Sequence, residues 1–316
     1  MSDKRYEVAI IGAGPAGMTA GIYAARAGKS VIIIEKKSPG GQIINTLDVD
    51  NYPAMPGISG VKYSMALKEQ AESFGSEFIF DEVSGIDRVE SDKPYFVIHG
   101  KAEDYEAMAV ILATGLENRK IGLPGEDKLI SHGISFCAAC DGAFFRGKDV
   151  AVYGGGNTAL EDAAYLASIC NTVTIIHRRD RFRGEQALVD QLKQYKNVKY
   201  IMESTITEVK GDNMIEGVVV KNKNSEETKE IKVDGLFLAI GQIPNGKIFS
   251  NITDVDERGY YDVDENCVSG AFPGVFVAGD GRSKKIRQLT TAVSDGSVAG
   301  SAASSYIDRL NGREYI

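Results

Sequence analysis

Four cysteines occur in the 316-residue sequence, and two of them, Cys137 and Cys140, are separated only by Ala138 and Ala139 and followed at once by Asp141. Two thiols at this spacing can close a small, reducible ring, and an adjacent carboxyl is placed to exchange a proton with the thiolate released when the ring opens. Zinc is the competing use of such a pair. A structural zinc site usually takes four ligands, however, and the sequence offers neither a second Cys-x-x-Cys nor a nearby histidine pair. No metal is expected. Cys170, in an apolar stretch expected to be helical, reads as a buried small hydrophobe, and Cys267 as a surface or packing residue. His99 and His132 have no evident partner, so structural roles are expected of them.

Net reduction of a disulfide needs a source of two electrons, and two glycine turns suggest where they come from. Val8 opens the run V-A-I-I-G-A-G-P-A-G and Val150 opens V-A-V-Y-G-G-G-N-T-A. Each is an apolar strand, a glycine turn, a small-residue helix (18–27 and 160–168) and a second apolar run (31–34 and 173–176), so a strand-helix-strand unit occurs twice. In the first turn, Gly12, Gly14 and Gly17 permit a tight bend, close approach to a pyrophosphate and close helix packing, with Pro15 and Ala16 at the helix start. Glu35 ends the next strand, where an acid accepts hydrogen bonds from a ribose hydroxyl.

The choice of FAD for this turn rests on the other end of the chain. Val275 opens V-F-V-A-G-D, which puts Asp280 behind Gly279 at a strand end, where it could hold a ribitol chain. Arg287 and Gln288 then open a helix whose positive end could stabilise a reduced flavin.

The second turn carries Gly154 and Gly156, then Asn157 and Thr158, with Ala159 in the third glycine's place. Where the first unit has Glu35 the second has His177-Arg178-Arg179-Asp180-Arg181-Phe182-Arg183. Loss of the acid removes repulsion, and guanidinium groups bind phosphate with forked hydrogen bonds, so a 2'-phosphate, and hence NADPH, is expected here.

These elements define an α/β fold class with two Rossmann-like nucleotide-binding domains. Strands are expected at 95–98, 109–113, 217–221, 235–240 and 275–278, and a helix at 289–310. The last part is too small to fold alone, so it is expected to complete the first domain. The FAD domain is then discontinuous, 1–117 and 245–316, with the NADPH domain, 118–244, inserted and carrying the cysteine pair.

Composition is that of a soluble globular protein, 43% hydrophobic and 25% charged. The net charge of -8 argues against a nucleic-acid partner. The uncharged stretch 8–25 after Lys4 and Arg5 resembles an export signal, but its four glycines and one proline fit a phosphate turn better. A cytoplasmic protein without a membrane partner is expected. A close cysteine pair in a reducing compartment again points to redox chemistry.

Taken in order, Gly12 to Gly17, Gly40-Gly41-Gln42, Ala113-Thr114-Gly115, Cys137-x-x-Cys140-Asp141, Gly154 to Ala159, His177 to Arg183, Ala278-Gly279-Asp280 and Arg287-Gln288 make the chain resemble the low-molecular-weight thioredoxin reductases over nearly its whole length. The resemblance implies a homodimer that binds FAD and NADPH and reduces thioredoxin or a thioredoxin-like protein. It implies that Cys140 lies next to the flavin, that Cys137 attacks the substrate disulfide and that Asp141 serves as acid and base. It also brings Asn51 into the flavin contacts, although Asn51-Tyr52-Pro53-Ala54 lacks the glycine often found after that proline, and Ala138-Ala139 replaces a frequent Ala-Thr. A ferredoxin- or dithiol-linked relative would keep FAD and the cysteines but lose the nicotinamide site.

Overall fold

The computed structural model describes residues 5–46, 49–269 and 272–313, so Lys4 of the basic N-terminal pair lies outside the described residues. The chain begins β1 (Arg5–Ile11), α1 (Pro15–Arg26), β2 (Val31–Glu35), α2 (Gly60–Ser73), β3 (Glu77–Phe80), β4 (Val83–Val89), β5 (Tyr95–Gly100), β6 (Asp104–Leu112) and β7 (Leu116–Asn118). It continues α3 (Glu126–Leu129), β8 (Ile134–Ser135), α4 (Ala138–Asp141), β9 (Asp149–Gly154), α5 (Asn157–Ala167), β10 (Thr172–Ile176) and α6 (Gln186–Leu192). Next come β11 (Val198–Ile201), β12 (Ser204–Lys210), β13 (Gly217–Asn222), β14 (Thr228–Lys232), β15 (Gly235–Ala239), β16 (Gln242–Pro244), β17 (Val275–Val277) and α7 (Leu289–Leu310).

Two compact units form. One comprises Met1–Ile44, Tyr52–Glu117 and Ile243–Ile316, the other Asn45–Asn51 and Asn118–Gln242. The short segment Asn45–Asn51 thus packs with the second unit, where Ser131 Oγ donates to Asn45 O at 2.8 Å. The chain crosses between the units along β7 and β16, which pair as a two-stranded ribbon.

In the first unit the sheet runs β3-β2-β1-β6-β5-β4. β6 changes neighbours along its length: Asp104–Ala107 pair antiparallel with β5, while Val110–Leu112 pair parallel with β17. Both faces of the central strands are buried, which is why residues 8–11 read as an unbroken apolar run rather than an alternating one. Val8, Ile10, Ile33, Ala109 and Ile111 pack under α1 and α7. Ala9, Ile11, Ile32, Ile34, Val110 and Leu112 pack on the other face against Phe249, Ile252 and Tyr261. α7 approaches α1 closely because a Cβ at Gly296 would lie 2.3 Å from Ala16 O and one at Gly300 would lie 2.5 Å from Ala20 O.

The second unit repeats the central topology as β11-β10-β9-β15-β8, all parallel. The registers correspond: Val8 pairs with Val31 as Val150 pairs with Val173, and Ile34 with Ile79 as Ile176 with Ile201. One face carries α5, packed on Val150, Val152, Val173, Ile175 and Phe237. The other is covered by the antiparallel sheet β12-β13-β14, with Ile206, Val218 and Val220 in the shared core. No described helix is long and apolar enough to cross a membrane.

Candidate active site

Cys137 and Cys140 form a disulfide with their Cα atoms 5.3 Å apart. Cys137 sits at the N-cap of α4 with extended backbone, and its sulfur accepts from the Cys140 N–H at 3.2 Å. The turn is anchored on the α5 face by Ala138 and by Phe145, whose ring meets Phe237 edge-on at 5.2 Å.

Ser135, at the end of β8, links the two reactive parts. Its hydroxyl donates to Asp141 Oδ2 at 2.5 Å and its oxygen accepts from Cys137 N–H at 3.1 Å. Asp141 Oδ1 is buried without a hydrogen-bond partner, and burial, only partly offset by Ser135, pushes the Asp141 carboxyl up from the usual carboxylate range. A carboxyl so placed keeps its proton to higher pH than a solvated aspartate and can give it to a nearby thiolate. Sequence reasoning found Asp141 and missed Ser135, a lone serine at a strand end that no periodicity marks. It also missed Asp162 of α5, which accepts from the Ala138 N–H and which burial pushes up to about 7.

In the first unit four loops meet at the C-terminal ends of β1, β2, β6 and β17, where the strand order reverses and dinucleotides bind in such sheets. Gly12 has φ of +104°, and a Cβ there would lie 2.5 Å from Ala113 O, while a Cβ on Gly17 would lie 1.9 Å from Gly12 O. Both glycines are therefore required by close backbone approach. Beside Gly14, by contrast, a Cβ would meet nothing within 4 Å, so there is room at the start of α1. Pro15 is its first residue and Ala16 packs beneath. The helix begins with no side-chain cap and no acid in its first turn, which leaves its positive end free for phosphate.

Around this turn, Gly40 N–H donates to Ala13 O at 2.7 Å, Gly41 would touch Gly14 Cα through a Cβ at 3.3 Å, and Gln42 Nε2 donates to Leu116 O at 3.0 Å. Thr114 Oγ1 lies 2.9 Å from Tyr261 Oη, and Gly115 has φ of +57°. Glu35 accepts from Ala13 N–H at 2.7 Å and from Lys37 N–H at 2.8 Å, so its carboxylate braces the glycine turn and each oxygen keeps capacity for a further donor. Gly279 has φ of +83° beside Ala16, and Asp280 follows it with a buried Oδ1 that makes no hydrogen bond. Arg287 caps this turn, donating to Asp280 O at 3.1 Å and lying over the Tyr260 ring at 4.6 Å; Gln288 caps α7 in a capping box with Thr291. Asn51 is exposed in the segment that packs with the second unit.

The second turn is built alike. A Cβ on Gly154 would lie 2.3 Å from Ala239 O, one on Gly156 would meet nothing within 4 Å, and Ala159 packs beneath. α5 likewise starts without a side-chain cap or an acid in its first turn. Thr158 is exposed, and Asn157 holds Glu185 through two hydrogen bonds of 2.9 Å. The basic loop is tied to the turn, because Arg183 N–H donates to Gly155 O at 2.7 Å and the buried His177 ring fills the space where a Gly155 Cβ would be. Burial first, then Arg179 and Arg178, hold His177 below its usual range, which disfavours the charged ring. Arg178, Arg179 and Arg183 are exposed and form no ion pair with any described residue.

Both turns therefore fit the groups expected of them. The first offers a phosphate cradle and an orphaned buried acceptor, Asp280 Oδ1, for a polyol. The second offers a cradle beside unpaired guanidinium groups. Elsewhere, burial pushes Cys170 and Cys267 up to about 11, so both are inert thiols. Cys267 is a fully buried packing residue, while Cys170 lies just beyond α5 rather than inside it. His99 does have partners: it bridges Asp104 at 3.1 Å and Asp87 at 3.0 Å across adjacent strands. Among the described residues no cluster of histidine, cysteine and carboxylate side chains could hold a metal ion.

The family model of pyridine nucleotide-disulphide oxidoreductases matches residues 6–296. The thioredoxin reductase of Bacillus subtilis (strain 168) is 40% identical over 309 residues, covering 98% of this chain and 96% of its own. The crystal structure of thioredoxin reductase from Streptococcus pyogenes superposes with a TM-score of 0.90 at 39% identity, covering 98% of this chain and all of that one. That of the Lactococcus lactis thioredoxin reductase, in its FR conformation, gives 0.67 at 38% identity over 96% and 99% of the two chains. The chain belongs to the pyridine nucleotide-disulphide oxidoreductase family. Within that family it falls among the bacterial-type thioredoxin reductases, flavoproteins that work with FAD and NADPH.

Proposed function

We propose that this chain reduces the disulfide of thioredoxin, or of a thioredoxin-like protein, through the Cys137–Cys140 pair with electrons from NADPH. The observation that carries the reading is the Cys137–Cys140 disulfide, built beside a half-buried Asp141 on a unit with its own nucleotide turn. When bound, NADPH supplies a hydride and FAD relays its two electrons to a disulfide.

This chain's residues do the rest. Gly12, Gly14, Pro15, Ala16, Gly17, Glu35, Gly41, Gln42 and Asn51 hold FAD from the N-terminal side, and Ala113, Thr114, Gly115, Gly279, Asp280, Arg287 and Gln288 from the other. Gly154, Gly156, Asn157, Thr158 and Ala159 seat the NADPH pyrophosphate, with His177 positioning the basic loop and Arg178, Arg179 and Arg183 reading the 2'-phosphate. The first unit is thus the FAD domain and the second, carrying the cysteines, the NADPH domain. Once the pair is reduced, the Cys137 thiolate attacks the partner's disulfide and expels one partner sulfur. Cys140 then attacks Cys137, which releases the partner's second sulfur and restores the Cys137–Cys140 bond. Asp141 supplies and takes back the proton on Cys140. A homodimer acting in the cytoplasm accords with the family resemblance.

Cys137→Ser and Cys140→Ser test this reading. Each is expected to bleach its flavin with NADPH at an undiminished rate, because that transfer precedes the cysteines. Each should lose thioredoxin reduction on the order of 10⁴-fold, and the double variant should lose no more, as for residues that act as one unit. Normal turnover by either single variant in stopped-flow absorbance would exclude the dithiol relay.

A further inference from the structure

Behind the Asp280 turn lies a group of buried charges that the proposed chemistry does not use. Arg282 and Lys284 follow the turn and Asp295 faces them from α7, with side chains 7%, 13% and 11% exposed. Asp295 Oδ1 accepts from Arg282 Nη1 at 2.7 Å, and its Oδ2 accepts from both Lys284 Nζ at 2.9 Å and Gly279 N–H at 3.0 Å. Lys284 Nζ also lies 3.4 Å from Thr291 Oγ1 and 3.6 Å from Asp280 Oδ1. Arg282 is fixed further by donating to Asp264 O.

The charge count decides what this group does. One carboxylate, Asp295, faces two cations, Arg282 and Lys284, and Arg287 adds a third beside the turn, so the Asp280 carboxylate supplies counter-charge that the group otherwise lacks. Buried charge without a counter-charge is costly, so the Lys284 ammonium favours the charged form of Asp280 beside it. Burial pushes the Asp280 carboxyl up from the usual carboxylate range, Lys284 and then Arg287 oppose this in part, and Asp295 adds to it. An ionised Asp280 accepts only, and no donor lies within hydrogen-bond distance of its Oδ1, the lysine being too far.

We propose that Lys284, pinned by Asp295, is a positioning residue for the flavin: it supplies the counter-charge beside the Asp280 carboxyl and orients it so that Oδ1 accepts from a hydroxyl of the ribitol chain. The proposal rests on the assignment of Asp280 to FAD. Lys284 does not touch the cofactor, and its whole effect passes through Asp280.

The test measures FAD affinity of the full-length protein by fluorescence titration of flavin-stripped enzyme, and the flavin-release temperature of the holoenzyme. Asp280→Asn is expected to weaken FAD binding on the order of 10²-fold, the range of a lost hydrogen bond to a charged group. Lys284→Met is expected to weaken it by about 10-fold, and Lys284→Arg, which keeps the charge, to restore affinity to within about 3-fold. In the Asp280→Asn background, Lys284→Met should add nothing, since contacting residues in one network are not additive. Independent, additive losses, or unchanged affinity in Lys284→Met while Asp280→Asn is weakened, would overturn the proposal. Unchanged affinity in Asp280→Asn would instead overturn the assignment of Asp280 itself, and the proposal with it. If Lys284→Met gives no folded protein, Lys284→Gln is judged by the same criterion.

Discussion

Asp141 is set apart from the other carboxyls around the redox turn by its hydrogen bonds. One oxygen is taken by Ser135 at 2.5 Å and the other is buried without a partner, and desolvation raises its pKa. A carboxyl raised in this way stabilises the fold in its protonated form at low pH, and that contribution is lost as pH rises through the raised value. Proton donation follows the same sign: the acid is available below the raised pKa and lost above it. Asp141→Asn keeps an oxygen for Ser135 but has no proton to give. Its kcat for thioredoxin reduction is expected to fall by roughly 10²- to 10³-fold, and the alkaline limb of the kcat profile that Asp141 sets should disappear with it. A variant with the parent's rate and the parent's profile would remove Asp141 from the chemistry. Ser135→Ala, which withdraws the hydrogen bond that favours the charged form, should move the same limb to higher pH, because only the opposing desolvation remains.

At the scale of elements, two strand–turn–helix units carry the nucleotide chemistry, and one difference between them sets the choice of nucleotide. β2 ends in Glu35, whereas β10 is followed by the buried His177 ring, held below its usual pKa range, and then Arg178 and Arg179. His177 and the hydrogen bond from Arg183 N–H to Gly155 O fix that loop against its turn, so the guanidinium groups meet a phosphate at little ordering cost. Replacing Arg178 and Arg179 together by alanine is expected to lower the ratio of kcat/KM for NADPH over NADH on the order of 10²-fold. An unchanged ratio would move phosphate recognition elsewhere.

These units were legible in the sequence because all their central strands are buried on both faces. Residues 8–11 and 150–153 are almost wholly apolar, and each run stops at glycines that backbone crowding demands. The N-terminal half of β6 was not legible, since Asp104–Met108 alternate in burial and carry charge. Nor was the packing of Asn45–Asn51 with the second unit, which depends on a contact with Ser131 far along the chain. The same holds for Ser135 and for the Arg282–Lys284–Asp295 cluster. Each depends on side chains brought together across turns, and neither leaves a period or a motif to read.

At the scale of the whole molecule, the second unit carries both the cysteine pair and the candidate nicotinamide site, and both have business with one flavin. Hydride transfer needs the reacting atoms about 3–3.5 Å apart, and reduction of a disulfide needs comparably close approach of a sulfur. A protein substrate must in addition reach Cys137, which it cannot do while the neighbouring Cys140 is held against a buried ring. One fixed arrangement would therefore serve half of the cycle and obstruct the other half. The two crossings have the backbone freedom that a change of arrangement requires: Gly115 has φ of +57° and Gly241 of +107°, and a Cβ at either would meet nothing within 4 Å. Hinges of this kind absorb large dihedral changes in a few residues at element ends. A covalent crosslink between the units, verified by mass spectrometry, is expected to abolish NADPH-dependent reduction of thioredoxin while leaving FAD bound and each unit folded. The lock should block one half-reaction and spare the other, and rapid mixing with NADPH alone tells which. Full turnover by a completely crosslinked sample would show that a static relay suffices.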